Sequence, residues 1–101
     1  MATCYISEYE SVGVPGPEAD SHQAPREPAI AEQFVGIAAS TTQSSPFNVR
    51  TRLVRVHVDS VCSIAFGVSP TAVTTAKRLA AGQTEYFAVT GGQRLAVIQN
   101  V

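Results

Sequence analysis

Charge is what this sequence has least of. Only 15% of its 101 residues are Asp, Glu, Lys or Arg, against roughly 25% in a typical soluble domain. The formal net charge is −1, which excludes bulk electrostatic attraction to nucleic acid or to an anionic membrane surface. Two cysteines, Cys4 and Cys62, are too few and too far apart for a disulfide scaffold or a zinc site. No apolar run approaches the ~18 residues that a membrane helix requires. Met1 to Glu10 lacks the basic and apolar regions of a secretory signal. These absences predict a chain made in the cytoplasm with reduced thiols, with neither nucleic acid nor membrane among its partners and no cofactor.

What is there is apolar and hydroxylic. Hydrophobic residues make up 45% of the chain, enough for one modest core and one domain spanning 1–101. Nine serines and nine threonines stand where charges usually do. A polar surface with few charges repels its neighbours weakly, which suits a protein that packs against others. The charges are also unevenly placed. Residues 1–49 hold six acids and one base, and residues 50–101 hold six bases and two acids. Either the acidic half lies on the basic half of the same molecule, or an acidic arm reaches a basic patch on a neighbouring subunit.

Residues 3–9 (TCYISEY) alternate as a first strand, with Cys4 and Ile6 on one face and Thr3, Tyr5 and Ser7 on the other. The pattern then stops. Residues 10–30 carry Pro15, Pro17, Pro25 and Pro28 together with Gly13 and Gly16. Proline lacks the N–H donor and fixes φ, so this stretch is predicted to be an extended arm or long loop. From Ala31 onward β character dominates. Residues 32–38, 50–59, 61–66, 84–89 and 94–99 read as strands, and 76–81 as a helical turn or short strand ended by Gly82. In 50–59 the alternation is clearest, with Val54, Val56 and Val58 on one side and Arg55, His57 and Asp59 on the other. Ile64, Phe66, Phe87 and Ile98 complete the expected inward set. Thr90-Gly91-Gly92-Gln93 is a linker suited to a β-hairpin. Six or so short strands with turn signals near every ten residues predict an all-β fold, a small β-sandwich or jelly-roll-like domain with a proline-rich N-terminal arm.

Chemistry is hard to assemble from these residues. His57, Asp59 and a nearby serine sketch a triad, but no nucleophile elbow accompanies them. His22 and His57 lack ligand-spaced companions for a metal. Gly91-Gly92 lacks the Lys-Ser/Thr and the helix of a phosphate cradle. The expectation is therefore no catalytic and no metal residue, with His57 an exposed strand histidine near Asp59. Partner contact is a better use of what remains. Arg50, Arg52 and Arg55 form a short basic cluster. Tyr5 and Tyr9 could bury area while keeping a polar tip wet, although core packing is the commoner role for Tyr5. Val12, Val14 and Ile30 are spaced along the arm as isolated apolar anchors, and Glu18, Asp20 and Glu27 could meet the arginines of a neighbour.

The run from Arg55 to Asn100 resembles small tailed-bacteriophage virion proteins of the capsid cement or decoration type. The resemblance is carried by the apolar strand Val61–Phe66, the turn Gly67–Pro70, the run Leu79–Phe87 ending in Glu-Tyr-Phe, and Gly92–Ile98 with its Gly-Gln-x-x-Ala-Val-Ile pattern. It covers the last half well and Ala31–Asn48 loosely, and leaves the arm outside. It implies a structural, non-enzymatic protein of the virion exterior that binds the major capsid protein and copies of itself, as a dimer or trimer. It transfers no functional residue. Two other classes stay open: a tail, fibre or adhesin module binding a host glycan or receptor, and a small enzyme or ligand-binding barrel. The first needs an exposed aromatic platform in a chain without Trp, and the second needs polar groups converging in a cavity.

Overall fold

The computed structural model describes residues 2–13, 24–25 and 27–100. Ten strands form among these residues, in chain order: β1 (Thr3–Tyr9), β2 (Val12–Gly13), β3 (Ala24–Pro25), β4 (Ala31–Gly36), β5 (Thr42–Gln43), β6 (Leu53–Val58), β7 (Cys62–Gly67), β8 (Lys77–Leu79), β9 (Thr84–Ala88) and β10 (Arg94–Gln99). There is no helix among the described residues. The strands build two four-stranded sheets, ordered β4-β1-β6-β9 and β5-β10-β7-β8, and β2 pairs with β3. Every ladder is antiparallel. The fold is a β-sandwich.

Period-two alternation decides which side chains enter it. Cys4 and Ile6 from β1, Val54, Val56 and Val58 from β6, Cys62 and Ile64 from β7, and Leu95 and Val97 from β10 are all essentially inaccessible. They meet Val35, Ile37, Phe47 and Leu79 in one continuous core, with Phe66 and Phe87 packed against its margin. Each such side chain contributes roughly 1.5–3 kcal/mol by leaving water. Phe66 stacks obliquely on Phe87 from the opposite sheet, ring centres 5.0 Å apart.

The two outer faces differ. Behind the second sheet, the connection 68–76 folds back over β7 and β10. Gln43 Nε2 donates to Pro70 O, the Ala72 N–H donates to Thr41 Oγ1, and Ser63 Oγ and Asn100 Nδ2 donate to Thr74 O. Ser63 and Ala96 are therefore buried although they point away from the core. Among the described residues, no segment covers the central rows of the first sheet's outer face, where Phe34, Tyr5 and Tyr86 are exposed.

Three expectations need correction. β9 and β10 are not a hairpin, because β9 pairs with β6 and β10 with β7. The Gly91-Gly92 link instead crosses from one sheet to the other, against the segment 47–49: Gly92 N–H donates to Phe47 O, and Phe47 N–H to Gln93 O. Ile98 faces outward beside Ser63, since Leu95 and Val97 set the inward phase of β10. Tyr5 lies on the outer face, 49% exposed, and not in the core. The stretch 76–81 resolves as the short strand β8, and the chain after it turns through Gly82 at φ +79°.

Two substitutions test this packing. Val56→Asp places an unpaired charge at the centre of the core and should cost more than about 4 kcal/mol, leaving the chain unfolded. Gly91→Ala would set a methyl 2.5 Å from Val49 O, and should cost on the order of 1–3 kcal/mol. Urea unfolding monitored by far-ultraviolet circular dichroism reads both; an unchanged midpoint for Gly91→Ala would contradict the crossing geometry.

Candidate interaction surface

The arm leaves the sandwich where β1 ends and β4 and β6 begin, and one carboxylate organises that corner. Glu8 is in phase with Cys4 and Ile6, so β1 turns it inward, where only 2% of it is exposed. A buried carboxylate is tolerated when donors surround it. Here Asn48 N–H and Thr51 Oγ1 donate to one oxygen, each at 2.8 Å, and Gln33 Nε2 donates to the other at 3.1 Å. Glu8 thereby pins the connection 44–52 and β4 to β1. Its backbone carbonyl also accepts the Ile30 N–H, which ties the returning end of the arm to β1.

Around Glu8 lie most of the partner-contact residues expected from sequence. Tyr9 is buried, and its hydroxyl donates to Glu27 Oε2 at 2.8 Å, holding the outgoing and returning chain together. Burial, followed by the Glu27 carboxylate, pushes the Tyr9 phenol above its ordinary value of 10. Arg50 reaches Glu10 at 3.5 Å with both side chains more than half exposed, the one ion pair among the described residues. It joins the acidic and basic halves within one molecule, and its contribution is small. Arg52 turns its guanidinium to Val49 O and Thr51 O. Val49 is 80% exposed beside them. Ile30 is half-buried and lines a shallow pocket of about 280 Å³ with Glu10, Ser11, Glu27 and Pro28. Val12 pairs through its backbone with Pro25, so the arm starts as a two-stranded ribbon. Val14, Glu18 and Asp20 lie outside the described residues.

Tyr5 and Arg55 belong to a second surface, the outer face of the first sheet. Strand register places Phe34, Tyr5, His57 and Thr84 in one row across β4, β1, β6 and β9. Glu32, Ser7, Arg55 and Tyr86 form the next row. Phe34 is 73% exposed and Tyr86 50%. The Tyr5 and His57 rings lean together with centres 6.4 Å apart, and an open groove of about 240 Å³ runs between Tyr5 and Phe34. Phe34 and Tyr86 were missed by sequence reasoning, although strand phase alone sets them on the faces opposite Val35 and Phe87; the pairing that brings them beside Tyr5 and Arg55 is tertiary.

The sketched triad does not form. His57 Nδ1 lies 2.7 Å from Thr84 Oγ1, whereas Asp59 accepts the Thr3 N–H at 2.6 Å. The two side chains take different partners because β6 ends at Val58 and the chain turns before Asp59. Among the described residues no three His, Cys, Asp or Glu side chains gather into a metal-binding group. Cys4 and Cys62 are free thiols buried in the core. Burial above all pushes them up, Cys4 to about 12 and Cys62 to about 11, with the Asp59 charge adding to both.

The Glu8 cluster and the thiols each carry a test. Glu8→Gln presents an amide donor to groups that are themselves donors, and should cost about 1–3 kcal/mol in urea unfolding; an unchanged midpoint would rule out the organising role. The thiols titrate near 9 when unfolded and higher when folded. Above pH 9 the folded chain therefore binds more protons than the unfolded chain, and stability falls as pH rises toward 11–12. The double variant C4A/C62A should lose that alkaline component, as thermal unfolding between pH 8 and 11 would show. No family model matches the chain, and no curated protein or solved structure is significantly similar to it.

Proposed function

We propose that this chain is a structural virion protein that attaches to the outside of a phage capsid shell and stabilises it, with the major capsid protein as partner. The observation that supports the reading is the convergence at the arm root. Sequence residues far apart, Tyr9, Ile30, Arg50 and Arg52, meet at one end of the sandwich beside the bare Val49. A proline-bearing arm rooted there can lie across a neighbour at reduced ordering cost, because its prolines already restrict the free chain. The low surface charge and the resemblance of residues 55–100 to cement and decoration proteins point the same way. Exposed ion pairs contribute only about 0–1 kcal/mol each, so apolar anchors and many repeated contacts supply the attachment.

A second reading has its own observation. The row of Phe34, Tyr5 and His57, with Tyr86 beside it, is a solvent-facing aromatic platform, as an adhesin or fibre module that binds a host glycan would present.

Mass-spectrometric inventory of purified particles tests the virion reading: the chain should be present in many copies per particle, and its absence would sink the idea. The arm is tested by replacing residues 13–24 with a short Gly-Ser bridge. Val12 and Pro25 are cross-strand partners, so a gap of about 5 Å is all the bridge must close. Both the Tyr9–Glu27 and the Ile30–Glu8 hydrogen bonds are kept. The shortened chain should fold and be missing from particles; full occupancy would remove the arm from the mechanism. Binding on a glycan array that Phe34→Ala and Tyr5→Ala abolish, with particle occupancy unaffected, would favour the adhesin instead.

A further inference from the structure

The outer face of the first sheet combines exposed aromatic groups with two opposite charges that do not satisfy each other. Glu32 on β4 and Arg55 on β6 share a row but are separated by β1, and two strand spacings put their backbones about 9.5 Å apart. Glu32 is held on the face by Ser7 Oγ, which donates to its Oε2 at 3.1 Å. Arg55 has no carboxylate partner among the described residues. The 68–76 connection covers the equivalent face of the other sheet, whereas no described segment covers this one, with Phe34 73% and Tyr5 49% exposed.

We propose that this face is the docking surface for a second copy of the chain, related by a two-fold axis that lies between the faces and runs along β1. The argument is charge complementarity of the face with itself. Such an axis lays β4 of one copy over β6 of the other and keeps every row in place. Glu32 then meets Arg55 of the second copy, and Arg55 meets its Glu32, so one symmetry operation makes two ion pairs and leaves neither charge unpaired. In the neighbouring row Phe34 lies over the second copy's His57, and Tyr5 lies over Tyr5. Tyr86, on β9, flanks the β4 edge of the opposite copy. Two sheets packed this way are aligned to within about 30°, as in the interior of any sandwich, and about 10 Å apart. The contact ends at Tyr9, which Glu27 covers. Glycan recognition also uses polar side chains beside an aromatic, but it does not require Glu32 and Arg55 to stand one strand either side of a central strand, as a self-complementary face does.

The inference does not rest on attachment to a shell, and its test uses the purified full-length chain. Sedimentation equilibrium across the micromolar range should show a monomer–dimer equilibrium. Glu32→Arg and Arg55→Glu each turn both symmetric pairs into like-charge pairs, and should weaken the dimer at least about tenfold. The double variant E32R/R55E restores opposite charges and should return to within about threefold of the original. Phe34→Lys, at a position too exposed to affect folding, should also weaken it. A chain that stays monomeric, forms only trimers, or dimerises with indifference to these swaps would overturn the proposal. None of those results would bear on the particle inventory, so this inference and the virion reading fail separately.

Discussion

One buried carboxylate sets the shape of the end of the molecule where the arm begins. Leaving Glu8 inside the sandwich without partners would cost more than most single side chains gain there. Its three donors come from β4 and from the connection between the sheets, so burying it fixes where those segments lie. The consequences propagate. Asn48 and Val49, held by that network, present the carbonyls against which Gly91 is pressed. That close approach fixes the crossing from β9 to β10, and with it the assignment of the last strand to the second sheet. Arg52 N–H donates to Tyr9 O, and Val89 N–H to Arg52 O, so the same connection also guides the edges of β1 and β9. The positions of Arg50, Arg52 and Val49 follow from this polar knot and not from the apolar core.

The strands were legible from sequence wherever alternation was undisturbed. Val54, Val56 and Val58 declare their face because nothing but side-chain phase decides it, and the same holds for Cys4 and Ile6. Pairing was not legible. A Gly-Gly link between two apolar runs looks the same whether it joins neighbours in one sheet or carries the chain across to the other. What distinguishes the cases is the space behind Gly91, a tertiary fact. Glu8 was partly legible: its phase with Cys4 and Ile6 puts it inside, but the donors that satisfy it there come from segments far away in the sequence. For Tyr5 the same phase argument applied and the generic habit of tyrosine misled. Of the residues expected to touch a partner, Tyr9, Ile30, Arg50 and Arg52 gather at one end whereas Tyr5 and Arg55 stand on a different face, a division that only the strand pairing sets.

That division between an end and a face has a geometric consequence. All three strands that frame the arm root have that end in common: β1 finishes there, and β4 and β6, antiparallel to it, begin there. A two-fold axis running along β1 reverses left and right across the sheet but preserves direction along the strands. Two copies joined through the outer face therefore present both arm roots, with their Arg50, Arg52 and Val49, on the same side of the dimer. An axis perpendicular to the strands would have sent the arms in opposite directions. For the proposed attachment to a shell, two arms on one side would act on one surface together, and the second would attach at the high effective concentration set by the first. Weak exposed pairs and scattered apolar anchors would then be sufficient. A surface with few charges and a small core suits that proposed role, because symmetry and repetition would supply the binding strength without any single strong contact.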